Sequence, residues 1–152
     1  MVFEDYAKYY DLIYSDKNYK AECGYVSSLI QLYAPDALKI LEFGSGSGIH
    51  GNLLAQTGFV VHGIERSQTM IDLQKSHCNL TTAGASSKGS FNCVNGNCLT
   101  TELGKDFDIA LALFHVLSYQ TSDAQVIAML KNAHRQLKIG GFFILDFWYA
   151  PA

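Results

Sequence analysis

Glycine stands at every second position in the latter part of Glu42-Phe43-Gly44-Ser45-Gly46-Ser47-Gly48. A backbone without Cβ atoms can turn tightly and let a ligand lie against it. Three loop chemistries compete for such a stretch. A dinucleotide loop, G-x-G-x-x-G, needs its third glycine at 49, where Ile49 stands. A phosphate-cradling loop needs Lys followed by Ser or Thr after its last glycine, and neither this stretch nor Gly84 to Gly89 supplies them. A nucleophilic-serine elbow needs glycines two residues to either side of the serine, a test that Ser45 and Ser47 both fail. Two further groups could do chemistry: the acid in Gly63-Ile64-Glu65-Arg66-Ser67 and the imidazole in Leu113-Phe114-His115-Val116-Leu117-Ser118-Tyr119. An imidazole titrates near neutral pH and can take a proton from a nucleophile.

The elements that must position these groups alternate between short apolar runs and helical periods, the pattern of βαβ units and a parallel sheet. Strands are predicted at Leu38 to Phe43, Phe59 to Ile64, Phe91 to Val94, Ile109 to Phe114 and Phe142 to Phe147. The last two are apolar runs, the fifth unbroken to Leu145, as strands buried on both faces require. Helices are predicted at Ile49 to Thr57, Ser67 to His77 and Ser122 to Leu137, with serine N-caps on the last two. Two more, Phe3 to Tyr14 and Tyr19 to Tyr33, precede the sheet as a cap, and the second carries Tyr25, Val26, Leu29, Ile30 and Tyr33 on an apolar face. Thr81 to Ser90 reads as an exposed loop. The fold class is therefore α/β, a doubly wound and mostly parallel sheet in one domain over 1–152, with a helical cap over 1–35 and the core over 36–152. In such sheets ligands bind outside the carboxyl ends of the strands, which is where the glycine loop, Glu65 and His115 all fall.

Bulk composition narrows the classes. A length of 152 residues and 49% apolar residues suit one compact domain, and a net charge of -3 with mixed signs gives no support to a nucleic-acid partner. The apolar runs are far shorter than a membrane span, and no basic-then-apolar leader opens the chain, so the expected location is the cytoplasm. Cys23, Cys78, Cys93 and Cys98 form no C-x-x-C pair and read as free thiols. The histidines form no metal-ligand spacing, and no metal is expected.

The loop resembles the first motif, E-x-G-x-G-x-G, of the class I S-adenosylmethionine-dependent methyltransferases, and the resemblance extends over essentially the whole chain. It implies a Rossmann-like core of strand order 3-2-1-4-5 and an enzyme that moves a methyl group from S-adenosylmethionine to an acceptor. It puts Gly44, Gly46 and Gly48 beneath the methionine and ribose parts of the cofactor and Glu42 near the methionine amino group. Glu65 takes the family's second signature position and would grip both ribose hydroxyls. Met70 would pack on adenine, and Asn97 stands where the family commonly has an acid for the adenine amino group, so this contact would be neutral and weaker. Ser45, Arg66, Cys98, Phe114 and Tyr19 complete the implied cofactor contacts. The segments Tyr9-Tyr10-Asp11-Leu12-Ile13-Tyr14 and Phe114-His115 look like the branch that methylates amino groups of nucleotide-linked deoxysugars and other small molecules, which makes Tyr14 and His115 the implied catalytic pair.

Members of that family continue into an antiparallel hairpin after strand five, so the expectation is a chain cut before it. Strand five would then be an exposed apolar edge bearing Phe142, Phe143, Phe147 and Trp148 that favours pairing with a second copy. Methylation of a small-molecule amine leads the readings. O-methylation and a silent S-adenosylmethionine-binding module stay open, while Ile49 argues against an NAD-dependent oxidoreductase fragment.

Overall fold

The structure is a computed structural model and describes residues 16–81 and 89–148, with the side chains of 76–81 excepted. The first predicted helix with Tyr14, the side chain of Cys78 and most of the 81–90 loop lie outside the described residues. In chain order the elements are α1 (Tyr19–Tyr33), β1 (Lys39–Phe43), α2 (Ile49–Gln56), β2 (Val60–Glu65), α3 (Gln68–Thr81), β3 (Ser90–Asn95), β4 (Phe107–Ala112), a short 3-10 helix (Val116–Tyr119), α4 (Asp123–Gln136) and β5 (Leu137–Leu145). The strands form one sheet of order β3-β2-β1-β4-β5, and every pairing is parallel.

Alternation along each strand splits the core into two layers. Ile40, Val61, Ile109 and Leu111 meet α1 and α2 through Cys23, Val26, Ile30 and Leu54. Leu41, Phe43, Ile64, Ala110 and Ala112 meet α4 through Met129 and Ala133 on the other face. Glu42 shares the first face by the same alternation, so an acid points into the layer that α1 and α2 cover. The stripe that α1 buries is Cys23, Val26 and Ile30, whereas Tyr25 and Tyr33 are 67% and 62% exposed, a narrower face than the sequence suggested.

Local chemistry sets the helix starts. Asn18 accepts from the Ala21 amide, Ser67 from the Met70 amide and Ser122 from the Gln125 amide. Two strand boundaries differ from expectation. Strand β4 begins at Phe107 and stops at Ala112, because Phe114 and His115 adopt left-handed backbone at φ 62° and 66° and cannot extend it. Strand β5 begins directly after α4 at Leu137 and crosses Gly140-Gly141 with a register shift opposite Phe107 to Ile109, so the glycine pair that resembles a turn is a bulge. Phe147 and Trp148 lie beyond the strand, and Ile139, Phe142, Phe147 and Trp148 are all exposed at this edge.

Asp108 closes the amino-terminal end of the sheet. One carboxylate oxygen accepts from the Leu38 and Lys39 amides at 2.8 Å each, and the other pairs with Lys138. Burial works to raise its pKa, but the Lys138 ammonium and the two amides overcome that and hold it below the usual carboxylate value. Asp108→Ala strands both amides and is expected to lose about 2 to 4 kcal/mol of stability in a urea melt.

Candidate active site

Two turns meet at the carboxyl ends of the strands, and carboxylates hold both. The first follows β1. Gly44 and Gly48 turn with φ of 64° and 77°, and a Cβ at either would lie 2.6 Å from Val116 Cγ2 or 2.8 Å from Gln74 Cγ and Phe91 Cε1. Glycine is therefore required on both conformational and steric grounds. Glu65, at the end of β2, accepts the Gly46 amide on one oxygen at 2.9 Å and the Ser67 amide on the other at 2.8 Å. Gln74 on α3, 5% exposed, donates to the Gly46 carbonyl at 2.7 Å and to Ser45 Oγ at 3.1 Å. The Ser45 hydroxyl turns inward against Cys93 Sγ at 3.2 Å, so this side chain braces the loop from inside.

The second turn follows β4. Asp146, just past β5, accepts the Phe114 amide on one oxygen and the His115 amide on the other. Two charge-assisted bonds of about 1.5 to 3 kcal/mol each offset a left-handed cost of roughly 1 to 2 kcal/mol per residue. The His115 ring lies 5.3 Å from Trp148 and 5.4 Å from Phe114 between ring centroids, and Tyr119 flanks Trp148. Lys17 places its ammonium 3.5 Å above the Phe114 ring and 4.7 Å from the centre of the Tyr19 ring, and pairs with Glu22 at 2.8 Å. His50, second residue of α2, binds the same Glu22 oxygen at 2.8 Å and meets the edge of Tyr19. Burial lowers the His50 pKa more than Glu22 restores it. Glu22, although burial pushes it up, is held low by Lys17 and His50.

Glu42 differs from the other acids. It is 2% exposed, and its Oε2 has no hydrogen-bond partner among the described residues. Desolvation first, then the nearby Glu65 charge, raises its pKa to about 8. A buried carboxylate in this state wants a cationic donor.

Of the remaining predicted contacts, Met70 is 7% exposed at the start of α3, and Arg66 is exposed at the end of β2. Asn97 Oδ1 accepts the Leu99 amide at 2.9 Å, so one of its lone pairs is already taken by the turn. Cys98 is half-buried, and its pKa is raised by burial. Cys23, Cys93 and Cys98 are free thiols. Sequence reasoning missed Gln74, Asp146, Lys17 and His50. Only Asp146 carried a signal, as an acid just after an apolar strand run.

Residues 40–141, more than half of the chain, match the methyltransferase domain family. The chain belongs to that family. The family's cofactor is S-adenosylmethionine, and the sheet order is that of its Rossmann-like fold. Among curated relatives, the dTDP-3-amino-3,4,6-trideoxy-alpha-D-glucopyranose N,N-dimethyltransferase of Streptomyces venezuelae is 24% identical over 97% of this chain and 59% of its own length. A sugar N-methyltransferase of Streptoalloteichus superposes with a TM-score of 0.78 at 24% identity, over 93% of this chain and 54% of that one. An amino pentose methyltransferase of Micromonospora echinaspora, solved with S-adenosylmethionine bound, gives 0.78 at 27% identity, over 93% and 57%. The chain thus spans less than two thirds of the length of these relatives. No helix among the described residues is long and apolar enough to cross a membrane.

The Glu42 carboxyl links pH to stability. Its folded value of about 8 lies above the ordinary 4.5, so the stability it contributes is present below pH 4.5 and is lost as pH rises to about 8. The melting temperature of the ligand-free protein is expected to fall over that window, and Glu42→Gln to flatten the fall.

Proposed function

We propose that the protein is an S-adenosylmethionine-dependent methyltransferase acting on an amine of a small molecule, an amino sugar on a nucleotide carrier being the leading acceptor. The observation that carries the cofactor half is the buried Glu42 carboxyl beside the glycine loop, whose Oε2 has no partner among the described residues, a site for the cofactor's methionine ammonium. The acceptor half rests on three curated relatives named as N,N-dimethyltransferases of dTDP-linked amino sugars.

S-adenosylmethionine would supply a sulfonium-bound methyl carbon open to attack by a neutral amine, the C–N bond forming as the C–S bond breaks and S-adenosylhomocysteine leaves. Glu65 accepts the two ribose hydroxyls on lone pairs its amide bonds leave free, and Gly44, Gly46 and Gly48 let the backbone approach. Ser45 acts through its backbone, since its hydroxyl is engaged with Cys93 and Gln74. Met70, Arg66, Asn97 and Cys98 line the adenine side, and Tyr19 and Phe114, bridged by Lys17, the methionine side. An amine arrives protonated at neutral pH and must lose a proton before it attacks. His115 takes that proton, with Tyr14 as its proposed companion. Exposed Trp148 beside His115, and Tyr119 beside Trp148, offer aromatic faces to the acceptor ring.

The test is incubation with S-adenosylmethionine and a dTDP-linked amino sugar, read by mass spectrometry. Stepwise addition of one and then two methyl groups is expected. His115→Asn should lower kcat by about 100-fold or more with bound cofactor unaffected. Methylation only of a hydroxyl acceptor would transfer the reading to O-methylation, and none with cofactor bound would favour a binding module.

A further inference from the structure

Asp146 stands in a second relation to His115 besides its backbone bonds. The imidazole Nδ1 lies 3.7 Å from Asp146 Oδ1, beyond hydrogen-bond length, and it is buried without a hydrogen-bond partner among the described residues. The side chain as a whole is 30% exposed. The exposed area therefore lies on atoms other than Nδ1, and Nε2 is the ring's other nitrogen. Asp146 cannot drift away, because the Phe114 and His115 amides hold both of its oxygens. Trp148, two residues further on, packs against the ring and ties its own amide to Ser118 Oγ at 3.0 Å.

We propose that Asp146 is a positioning residue for His115, holding the neutral ring's proton on Nδ1 so that Nε2 is left with its lone pair. The proposal rests on the reading of His115 as the base that frees the acceptor amine. Which nitrogen of a histidine carries the proton is set by the partner of the other, and here the partner is a carboxylate. A small rotation about the side-chain bonds closes the 3.7 Å gap, as apo geometries of catalytic pairs commonly require. When Nε2 takes the proton of the acceptor's ammonium, Nδ1 keeps its own. The acceptor nitrogen regains its lone pair, and the positive ring faces the Asp146 carboxylate. The same carboxylate thus shapes the turn, selects the tautomer and balances the charge.

Long-range proton–nitrogen NMR on uniformly labelled protein reads the tautomer directly, without cofactor or acceptor. The His115 signals, assigned by their loss in His115→Asn, are expected to show a protonated Nδ1 and a bare Nε2 at high pH. Asp146→Asn should shift the proton to Nε2, the form preferred by free imidazole, and Asp146→Glu should restore part of the Nδ1 form. His50 keeps its bond to Glu22 and should not change tautomer, although the Asp146 charge also acts on it. A wild-type His115 protonated on Nε2 overturns the proposal even if the variants fail to fold, as does an Asp146→Asn spectrum identical to wild type. A tautomer that shifts as stated while His115→Asn retains full methylation leaves the positioning role intact and refutes only the base assignment.

Discussion

Three carboxylates, each accepting backbone amides from a neighbouring stretch of chain, hold the working parts of this molecule. Parallel strands end in turns whose amides the sheet ladder does not satisfy, and an acid on an adjacent strand is the nearest strong acceptor. Asp108 on β4 takes the amides that lead into β1. At the opposite end Glu65 takes the turn after β1 and the start of α3, and Asp146 takes the turn after β4. The two at the carboxyl ends bring the glycine loop and His115 to one rim, where a parallel sheet presents ligands.

Glu42 is the exception that gives the site its character. It is placed by strand alternation beside Cys23 and Gly51, its Oε2 has no hydrogen-bond partner among the described residues, and its neighbours include a second acid, Glu65. A structure built only for stability would not retain such a group, because an apolar residue of similar size would cost less. Its retention is physically sensible where a cationic ligand completes it. The Lys17–Glu22–His50 cluster, by contrast, is internally paired and ties the start of α1 to α2 and to the Phe114 turn.

The five strands and the place of Glu65 at the end of β2 were legible because each rests on local pattern, whereas the strand order followed from the family resemblance. The run at Leu38 to Phe43, the alternate glycines and Glu65 occur in one short span where spacing alone discriminates between loop types. The α1 limits and the serine caps follow from the same local rules. What was not legible depends on distant pairing. Neither the left-handed backbone at Phe114 and His115 nor the strand status of Gly140-Gly141 can be read without Asp146 and Phe107 as partners. Gln74 looks like any polar helical residue until the glycine loop lies against it.

The central claim, that the rim of the glycine loop is a cofactor site completed by a cation, is tested most directly by calorimetric titration with S-adenosylhomocysteine, which carries the same amino-acid and ribose groups. Micromolar binding, weakened at least tenfold by Glu65→Ala and accompanied by proton release near pH 7 that Glu42→Gln abolishes, is the predicted result. Binding of NAD in its place, or no binding by the folded protein, would contradict the account.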